Sequence, residues 1–160
     1  RDWSALYSFY RQTTAAHHAI PYLPEEVFHQ LKEHYAHGVV CSMAYADDEP
    51  VAGTLNFRRG SHLYGRYWGA VREYDCLHFE LCYYALQEWA IQQGLTRFEA
   101  GAQGYHKLSR GFLPNITRAA VYVFHSGYQH ALKDFLAEEA AEVKERVAQL
   151  HSHSPFVSRD

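Results

Sequence analysis

The residues best suited to chemistry are clustered between Leu95 and Leu113. A short strand pattern, Thr96–Glu99, leads into a run of small residues, and a group of polar side chains follows: Gln103, His106, Lys107, Ser109 and Arg110. Glycines around them allow the backbone to approach a ligand closely, and lysine and arginine supply charge and donors for a phosphate or a carboxylate. The cluster predicts a ligand site at the end of a strand; the alternative is a tight turn followed by a solvated basic segment.

Two carboxylates are candidates for a general base that takes a proton from an attacking amine. Glu99 ends the predicted strand, a favoured ligand position in α/β sheets; its alternative role is a structural ion pair with Lys107 or Arg110. Glu80 lies in the second turn of an apolar helix, where a carboxylate needs a partner or its pKa rises. The alternative for Glu80 is an acid stabilised by the helix dipole, and we interpret His78 as a core histidine.

Aromatic residues make up 16% of the chain, with 13 tyrosines, which favours either a core with polar tips or a groove that stacks on a ligand. Tyr64, Tyr67 and Trp68 belong to one predicted strand and are candidates to line such a groove. Because side chains alternate along a strand, we expect Tyr64 and Trp68 to share a face and Tyr67 to point to the other. Core packing is the alternative explanation for at least one face.

Composition limits the classes of protein to consider. The 160 residues suit one domain with a real core, and the net charge of −3 without a long basic run excludes a strong nonspecific nucleic-acid binder. We expect no membrane span and no signal peptide. We also expect no metal site, since no His/Asp/Glu set has the spacing of metal ligands. The three cysteines lack a CxxC motif and are expected to be buried in a reducing, cytoplasmic compartment.

Hydrophobic periodicity predicts the order of elements. Two helices, 2–16 and one that opens at Pro24, precede three strands joined by short turns, an arrangement typical of an antiparallel meander. Asp75 would cap a largely buried helix, which a strand follows in a crossover unit. The predicted fold is a mixed α/β (α+β) sandwich, a mostly antiparallel sheet flanked by helices. The predicted strands are Val39–Ala46, Val51–Arg58, His62–Val71, Thr96–Glu99 and Thr117–Phe124. The predicted helices that follow the meander are Cys76–Gln93 and Tyr128–Leu150.

Three motifs together resemble one family. They are Cys76-Leu-His-Phe-Glu-Leu-Cys-Tyr-Tyr84, Gly94-Leu-Thr-Arg-Phe-Glu-Ala-Gly-Ala-Gln-Gly104 and His106-Lys-Leu-Ser-Arg-Gly-Phe-Leu-Pro114. They are similar to the bacterial Fem-like predicted N-acyltransferases, also labelled peptidoglycan biosynthesis/recognition proteins, and the ending His153-Ser-Pro-Phe156 extends the resemblance. The resemblance implies a GNAT-like fold. It also implies that residues 1–150 are one domain, the C-terminal half of a longer protein with a companion N-terminal acyltransferase-like domain, and that 151–160 is a loosely held tail.

The resemblance further implies transfer of an acyl or aminoacyl group to a small-molecule or peptide amine, with acyl-CoA or aminoacyl-tRNA as the donor substrate and no tightly bound cofactor. The segment Gly69–Cys76 lacks the glycine-rich loop with which classical acetyltransferases hold CoA, which favours aminoacyl-tRNA and makes tRNA a partner. Glu80 or Glu99 would be the catalytic base. Donor and substrate would be bound by Gln103, His106, Lys107, Arg110, Tyr67 and Trp68. The alternative function is a degenerate acyltransferase domain that binds a ligand or a partner domain without chemistry.

Overall fold

The computed structural model describes residues 1–101 and 104–156, which form two compact units on either side of that gap. The predicted site residue Gln103 lies outside the described residues. Among the described residues, the first unit holds a sheet, four α-helices, a 3-10 turn and a π-helical segment, and the second holds a short helix and a long one. In chain order the elements are α1 (Asp2–Ala16), α2 (Glu25–His34), a 3-10 turn (Ala36–Gly38), β1 (Val39–Ala46), β2 (Glu49–Arg59), β3 (His62–Ala70), α3 (Leu77–Phe79), a π-helical segment (Glu80–Tyr84), α4 (Ala85–Gln92), β4 (Arg97–Glu99), a second 3-10 helix (Tyr105–Arg110) and α5 (Ser126–His151).

The sheet of the first unit has the strand order β1-β2-β3-β4. β1 and β3 flank β2 in antiparallel pairings, while β4 joins β3 in parallel. The predicted meander is therefore confirmed, as is the crossover in which a helix connects two parallel strands. The fold class is confirmed as a mixed α and β structure with a four-stranded sheet flanked by helices, compatible with a GNAT-like fold.

Helices cover both faces of the sheet, and each face has its own core. On the α1 face, the buried side chains of Leu6, Tyr10 and Phe28 pack on Leu55 of β2. On the α4 face, the buried side chains of Leu63 of β3 and of Leu86 and Ala90 of α4 pack together. Phe98 of β4 is partly buried against them. These apolar contacts hold the sheet between two helical layers, as the hydrophobic pattern requires.

A β-bulge in β3 changes which residues share a face. Leu55 is opposite Tyr67 whereas Asn56 is opposite Gly65, so Arg66 is an extra residue on β3. One extra residue inverts the alternation of side chains beyond it. Tyr67 packs with the α1 face, as does Tyr64 through its pairing with Phe57, while Trp68 pairs with Thr54 and belongs to the α4 face. The predicted grouping of Tyr64 with Trp68 was wrong.

The predicted strand Thr117–Phe124 is absent: in the described part of the chain these residues pair with no strand. Its composition suits a strand, but a strand needs a neighbour to satisfy its backbone groups. The side chains of Val121, Tyr122 and Phe124 are accordingly exposed. Strand propensity alone did not create a partner for this segment.

Two smaller predictions were also wrong. The long helix begins after Cys76, not Asp75, and Cys76 itself adopts a left-handed conformation with φ 61°. The cysteines are not buried: Cys41 and Cys76 are exposed and Cys82 is half-buried. Cys41 lies on the edge strand β1 and Cys76 lies in the connection before α3, so neither position is enclosed on all sides.

Close packing of α1 on β3 makes Gly69 irreplaceable. A Cβ at Gly69 would lie 2.4 Å from the backbone oxygen of Phe9, whereas a Cβ at Gly65 would meet nothing nearer than 3.5 Å. We expect Gly69→Ala to lower the free energy of unfolding by about 1–3 kcal/mol, because backbone cannot move aside as a flexible side chain can. Gly65→Ala, on the same strand, should change it by less than about 1 kcal/mol. Urea denaturation of the two variants measures the difference, and equal effects would contradict this packing of α1.

Candidate functional site

The carboxyl ends of β3 and β4 form the part of the sheet where ligands bind in parallel arrangements. β4 pairs with β3 only from His62 opposite Arg97 to Tyr64 opposite Glu99. β3 continues beyond this pairing to Ala70. The second half of β3 and the end of β4 therefore present side chains to both faces of the sheet next to the point where β4 ends.

On the α1 face, this region carries Glu99 and a row of tyrosines. Glu99 is half-buried and lies opposite Tyr64, which is 36% exposed. Directly opposite residues of parallel strands point to the same face, so both belong with Tyr67. The Tyr67 ring contacts the buried Tyr10 with 4.8 Å between ring centroids. A half-buried carboxylate on the same face as these phenols is a candidate to receive a proton from a bound amine.

The loop between α1 and α2 is tied to this face through hydroxyl groups. The Tyr10 hydroxyl accepts hydrogen bonds from the backbone N–H of Tyr22, at 2.9 Å, and of Leu23, at 3.1 Å. The Tyr22 hydroxyl is hydrogen-bonded to the Tyr67 hydroxyl and accepts a hydrogen bond from Arg66 Nη2. Burial, and next the hydrogen bond with Tyr22, raise the pKa of Tyr67, so its phenol keeps its proton throughout the physiological range.

The α4 face carries a second, more aromatic group around His78. The His78 ring lies 5.2 Å from the Trp68 ring and 5.5 Å from the Tyr83 ring, both edge-on. The helical stretch that carries His78 and Tyr83 is irregular, since it starts at the left-handed Cys76 and passes through the π-helical segment. Left-handed non-glycine residues and π-helical turns are frequent at functional sites. The aromatic environment agrees with the interpretation of His78 as a packed histidine.

Buried polar side chains on β2 lie on this same face, and sequence analysis did not single them out. Thr54 and Asn56 are 1% and 2% exposed. Asn56 Nδ2 donates to the Val40 carbonyl oxygen and to Thr54 Oγ1, each at 2.9 Å, and Thr54 Oγ1 also accepts the Ser42 backbone N–H at 3.2 Å. Their signal in the sequence is the alternation of Thr54 and Asn56 with apolar residues, which resembles a solvated strand face.

The two candidate bases belong to opposite faces of the sheet. Glu99 shares the α1 face with Tyr64, whereas Glu80 is exposed on the helix that packs against the α4 face. Tyr67 and Trp68 are likewise on opposite faces, because adjacent residues of a strand alternate. The structure therefore places Glu99 on the same face as Tyr64 and Tyr67, and Glu80 on the other side of the sheet.

The predicted donor-binding residues of the second unit lie on its 3-10 helix. Glycines in left-handed conformations bracket this helix, Gly104 with φ 97° and Gly111 with φ 85°. His106 is exposed, and Lys107 and Arg110 are half-buried. Arg110 Nη1 donates to the His106 carbonyl oxygen at 2.7 Å, so part of this guanidinium braces its own turn. The short helix thus presents a rigid basic segment.

Among residues 1–101 and 104–156, His, Cys, Asp and Glu form no group of three that could hold a metal ion. Within the same residues, no helix has both the length and the apolar character needed to cross a bilayer.

The chain matches the model of a known protein family. The model of the FemAB-like family, described as peptidoglycan biosynthesis/recognition, matches residues 1–158. Searches of curated proteins and of solved structures found no significant match. The match spans nearly the whole chain and so covers both faces of the sheet and the 3-10 helix.

The buried amide of Asn56 allows a pH-dependent test of the α4 face. In Asn56→Asp the donor to the Val40 oxygen is lost and a carboxylate is buried, so at pH 7 we expect a loss of at least about 3 kcal/mol in the free energy of unfolding. Burial raises the pKa of the new carboxyl above its unfolded value of about 3.9. The loss should therefore shrink as the pH falls toward 4, because the folded protein takes up the proton first.

Urea denaturation between pH 4 and 8 measures this dependence. Asn115→Asp is the matched control, since Asn115 is exposed and its substitution should cost about 0.5 kcal/mol or less at every pH. A pH-independent loss in Asn56→Asp would show that position 56 reaches solvent.

Proposed function

This chain belongs to the FemAB-like family, and we propose that it transfers an acyl or aminoacyl group from an activated ester or thioester to an amine. The observation that carries the proposal is the family match over residues 1–158, with its description as peptidoglycan biosynthesis/recognition. A helix-flanked sheet with a parallel β3–β4 pair, compatible with a GNAT-like fold, supports it. The acceptor would be a small-molecule or peptide amine of peptidoglycan metabolism.

The proposed reaction requires one base at the acceptor. The amine nitrogen attacks the carbonyl carbon of the donor, a C–N bond forms, and the C–O or C–S bond to the leaving group breaks. A carboxylate takes the proton that the amine loses, and the leaving alkoxide or thiolate is protonated to the alcohol or thiol. We assign the base to Glu99, since it is half-buried at the end of β4 on the face that carries the tyrosines.

Glu80 is the second candidate for the base. It is exposed at the first residue of the π-helical segment, on the side of the sheet where Trp68 and His78 pack. Its carboxylate lies on the opposite side of the sheet from the tyrosines beside which we place the acceptor. The division of the two carboxylates between faces makes their roles separable by mutation.

For the donor we propose an anionic molecule held by the 3-10 helix, with Lys107 and Arg110 contacting phosphate. Gln103 and His106 are proposed as further donor-binding residues. Arginine and lysine bind phosphate through charge-assisted hydrogen bonds. The segment before α3 lacks a glycine-rich loop and instead stacks the Arg72 guanidinium 4.6 Å over the Tyr74 ring. We therefore favour aminoacyl-tRNA over acyl-CoA, and a reaction in the cytoplasm, where charged tRNA is made.

A non-catalytic domain that binds a partner is the second candidate function. It is favoured by the exposed apolar side chains of the second unit, among which Val121, Tyr122 and Phe124 are 63%, 74% and 92% exposed. Large exposed apolar surfaces commonly mark protein interaction sites. Absence of transfer activity together with capture of the companion domain would support this function.

Replacement of each carboxylate by its amide distinguishes the two bases. We expect Glu99→Gln to lower kcat for transfer from aminoacyl-tRNA to a peptide amine by about 10²–10⁴-fold, the usual contribution of a positioned base. For Glu80→Gln, the matched control, kcat should stay within about threefold of the wild-type value, as expected for substitution of an exposed residue. Radiolabelled aminoacyl transfer measures both. The opposite ranking would identify Glu80 as the base. If both variants were fully active, neither carboxylate would be the base.

The proposed donor contact at Lys107 predicts a loss of binding without a loss of stability. Lys107→Ala should weaken binding of a non-hydrolysable aminoacyl-tRNA analogue by about 1.5–3 kcal/mol, the worth of a charge-assisted hydrogen bond. The free energy of unfolding should change by about 0.5 kcal/mol or less. Arg110→Ala should lower both quantities, because its bond to the His106 carbonyl is also lost. The exposed Lys144 of α5 provides the control, Lys144→Ala. Reduced stability with unchanged binding in Lys107→Ala would show a structural role.

A further inference from the structure

Arg66 is the extra residue of the β3 bulge and its side chain is exposed. Bulges redirect single side chains and occur often beside active sites. The position of Arg66 on the strand is two residues beyond Tyr64, which lies opposite Glu99. At about 3.3 Å per residue, Arg66 and Glu99 are therefore separated by roughly 7 Å along the strand direction.

The Arg66 guanidinium is fixed on two sides, unlike that of an ordinary surface arginine. Its carbon lies 4.6 Å from the Tyr67 ring centroid, and Nη2 donates to the Tyr22 hydroxyl. The Tyr67 ring is itself held against the buried Tyr10, which also binds the loop that carries Tyr22. Stacking on an aromatic ring and a fixed hydrogen bond reduce the entropy that a bound partner would have to overcome.

No carboxylate neutralises Arg66 among the residues that the structure describes, where the ion pairs join other side chains. A guanidinium has five N–H donors, and the bond to Tyr22 uses one of them. If Tyr67, whose pKa is raised, donates to Tyr22, the Tyr22 oxygen accepts two hydrogen bonds and its own O–H is directed away from both. Arg66 and Tyr22 together then offer an anion the free N–H donors of the guanidinium and the O–H donor of the phenol.

Resting on the proposed function, we infer that Arg66 and Tyr22 bind a carboxylate of the amine acceptor, while the amine itself reaches Glu99. The acceptor would thus be an amine that also carries a carboxylate, because Arg66 and Glu99 are offset by only about two residues along the strand direction. A guanidinium fork matches the two oxygens of a carboxylate in a way that a point charge does not. Arg66 and Tyr22 would select among amines, and the chemistry would remain with Glu99.

The test compares two probes that differ only in the carboxylate. L-lysyl-D-alanine carries a side-chain amine and a C-terminal carboxylate, and L-lysyl-D-alaninamide lacks the carboxylate charge. Calorimetry should show wild-type protein binding the acid at least about 10-fold more tightly than the amide, as expected for a charge-assisted hydrogen bond. Arg66→Met should abolish this preference by lowering the affinity for the acid alone. Arg66→Lys should retain only part of the preference.

Three further variants complete the design. Tyr22→Phe keeps the ring and removes the hydroxyl, so it should reduce the preference severalfold; Tyr67→Phe should do so less. Arg59→Met removes an exposed arginine at the end of β2 and should leave the preference unchanged. Thermal melts establish that each variant is folded.

An equal affinity of wild-type protein for both probes, or a preference that survives in Arg66→Met, would overturn the inference. These outcomes are distinct from failure of the proposed function. Glu99→Gln should retain the preference for the acid even if it transfers nothing, because binding and proton removal depend on different residues. If no protein transfers the acyl group but the preference for the acid persists and depends on Arg66, the proposed transferase function is wrong and the inferred carboxylate site is retained.

Discussion

The β-bulge of β3 is the constraint on which the arrangement of the candidate site depends. It inserts Arg66 between Gly65, which pairs with Asn56, and Tyr67, which pairs with Leu55. Without this extra residue the alternation of side chains would continue unchanged. Tyr67 would then leave the α1 face, where it packs on Tyr10, and the Tyr22 hydroxyl would lose its hydrogen bond with Tyr67. One irregularity in one strand therefore positions the tyrosines, the arginine and the α1–α2 loop together.

Packing on the two faces follows different physical rules. The α1 face is close-packed and aromatic, and α1 approaches β3 so nearly that only glycine fits at position 69. On the α4 face, Thr54 and Asn56 are buried and form hydrogen bonds with each other and with β1. A buried polar pair is stable only when its donors and acceptors are satisfied. This requirement fixes the pairing of β1 with β2 more strictly than apolar contacts would.

Local sequence patterns predicted the elements of the first unit well, because each depends on signals within a few residues. The meander follows from its short turns, and the crossover follows from the apolar helix placed between two strand patterns. The motifs between Cys76 and Pro114 indicated the family that the match over residues 1–158 confirms. Errors arose where the outcome depends on distant residues. The alternation rule cannot reveal the bulge at Arg66, and strand propensity cannot supply Thr117–Phe124 with a neighbour.

The sequence indicated which residues to consider for the site, but it did not indicate how the fold arranges them. Glu80 and Glu99 were both plausible bases because Glu80 lies in an apolar helix and Glu99 ends a strand, but neither pattern reveals which face of the sheet its carboxylate belongs to. The pairing of Glu99 with Tyr64 and the packing of α4 on Leu63 place them on opposite sides. A single amine cannot be bound by both faces at once, so at most one carboxylate acts directly on a given acceptor. The half-buried Glu99 lies on the face where the bulge gathers Arg66, Tyr22 and Tyr67, and an acceptor bound by these groups would meet Glu99 and not Glu80.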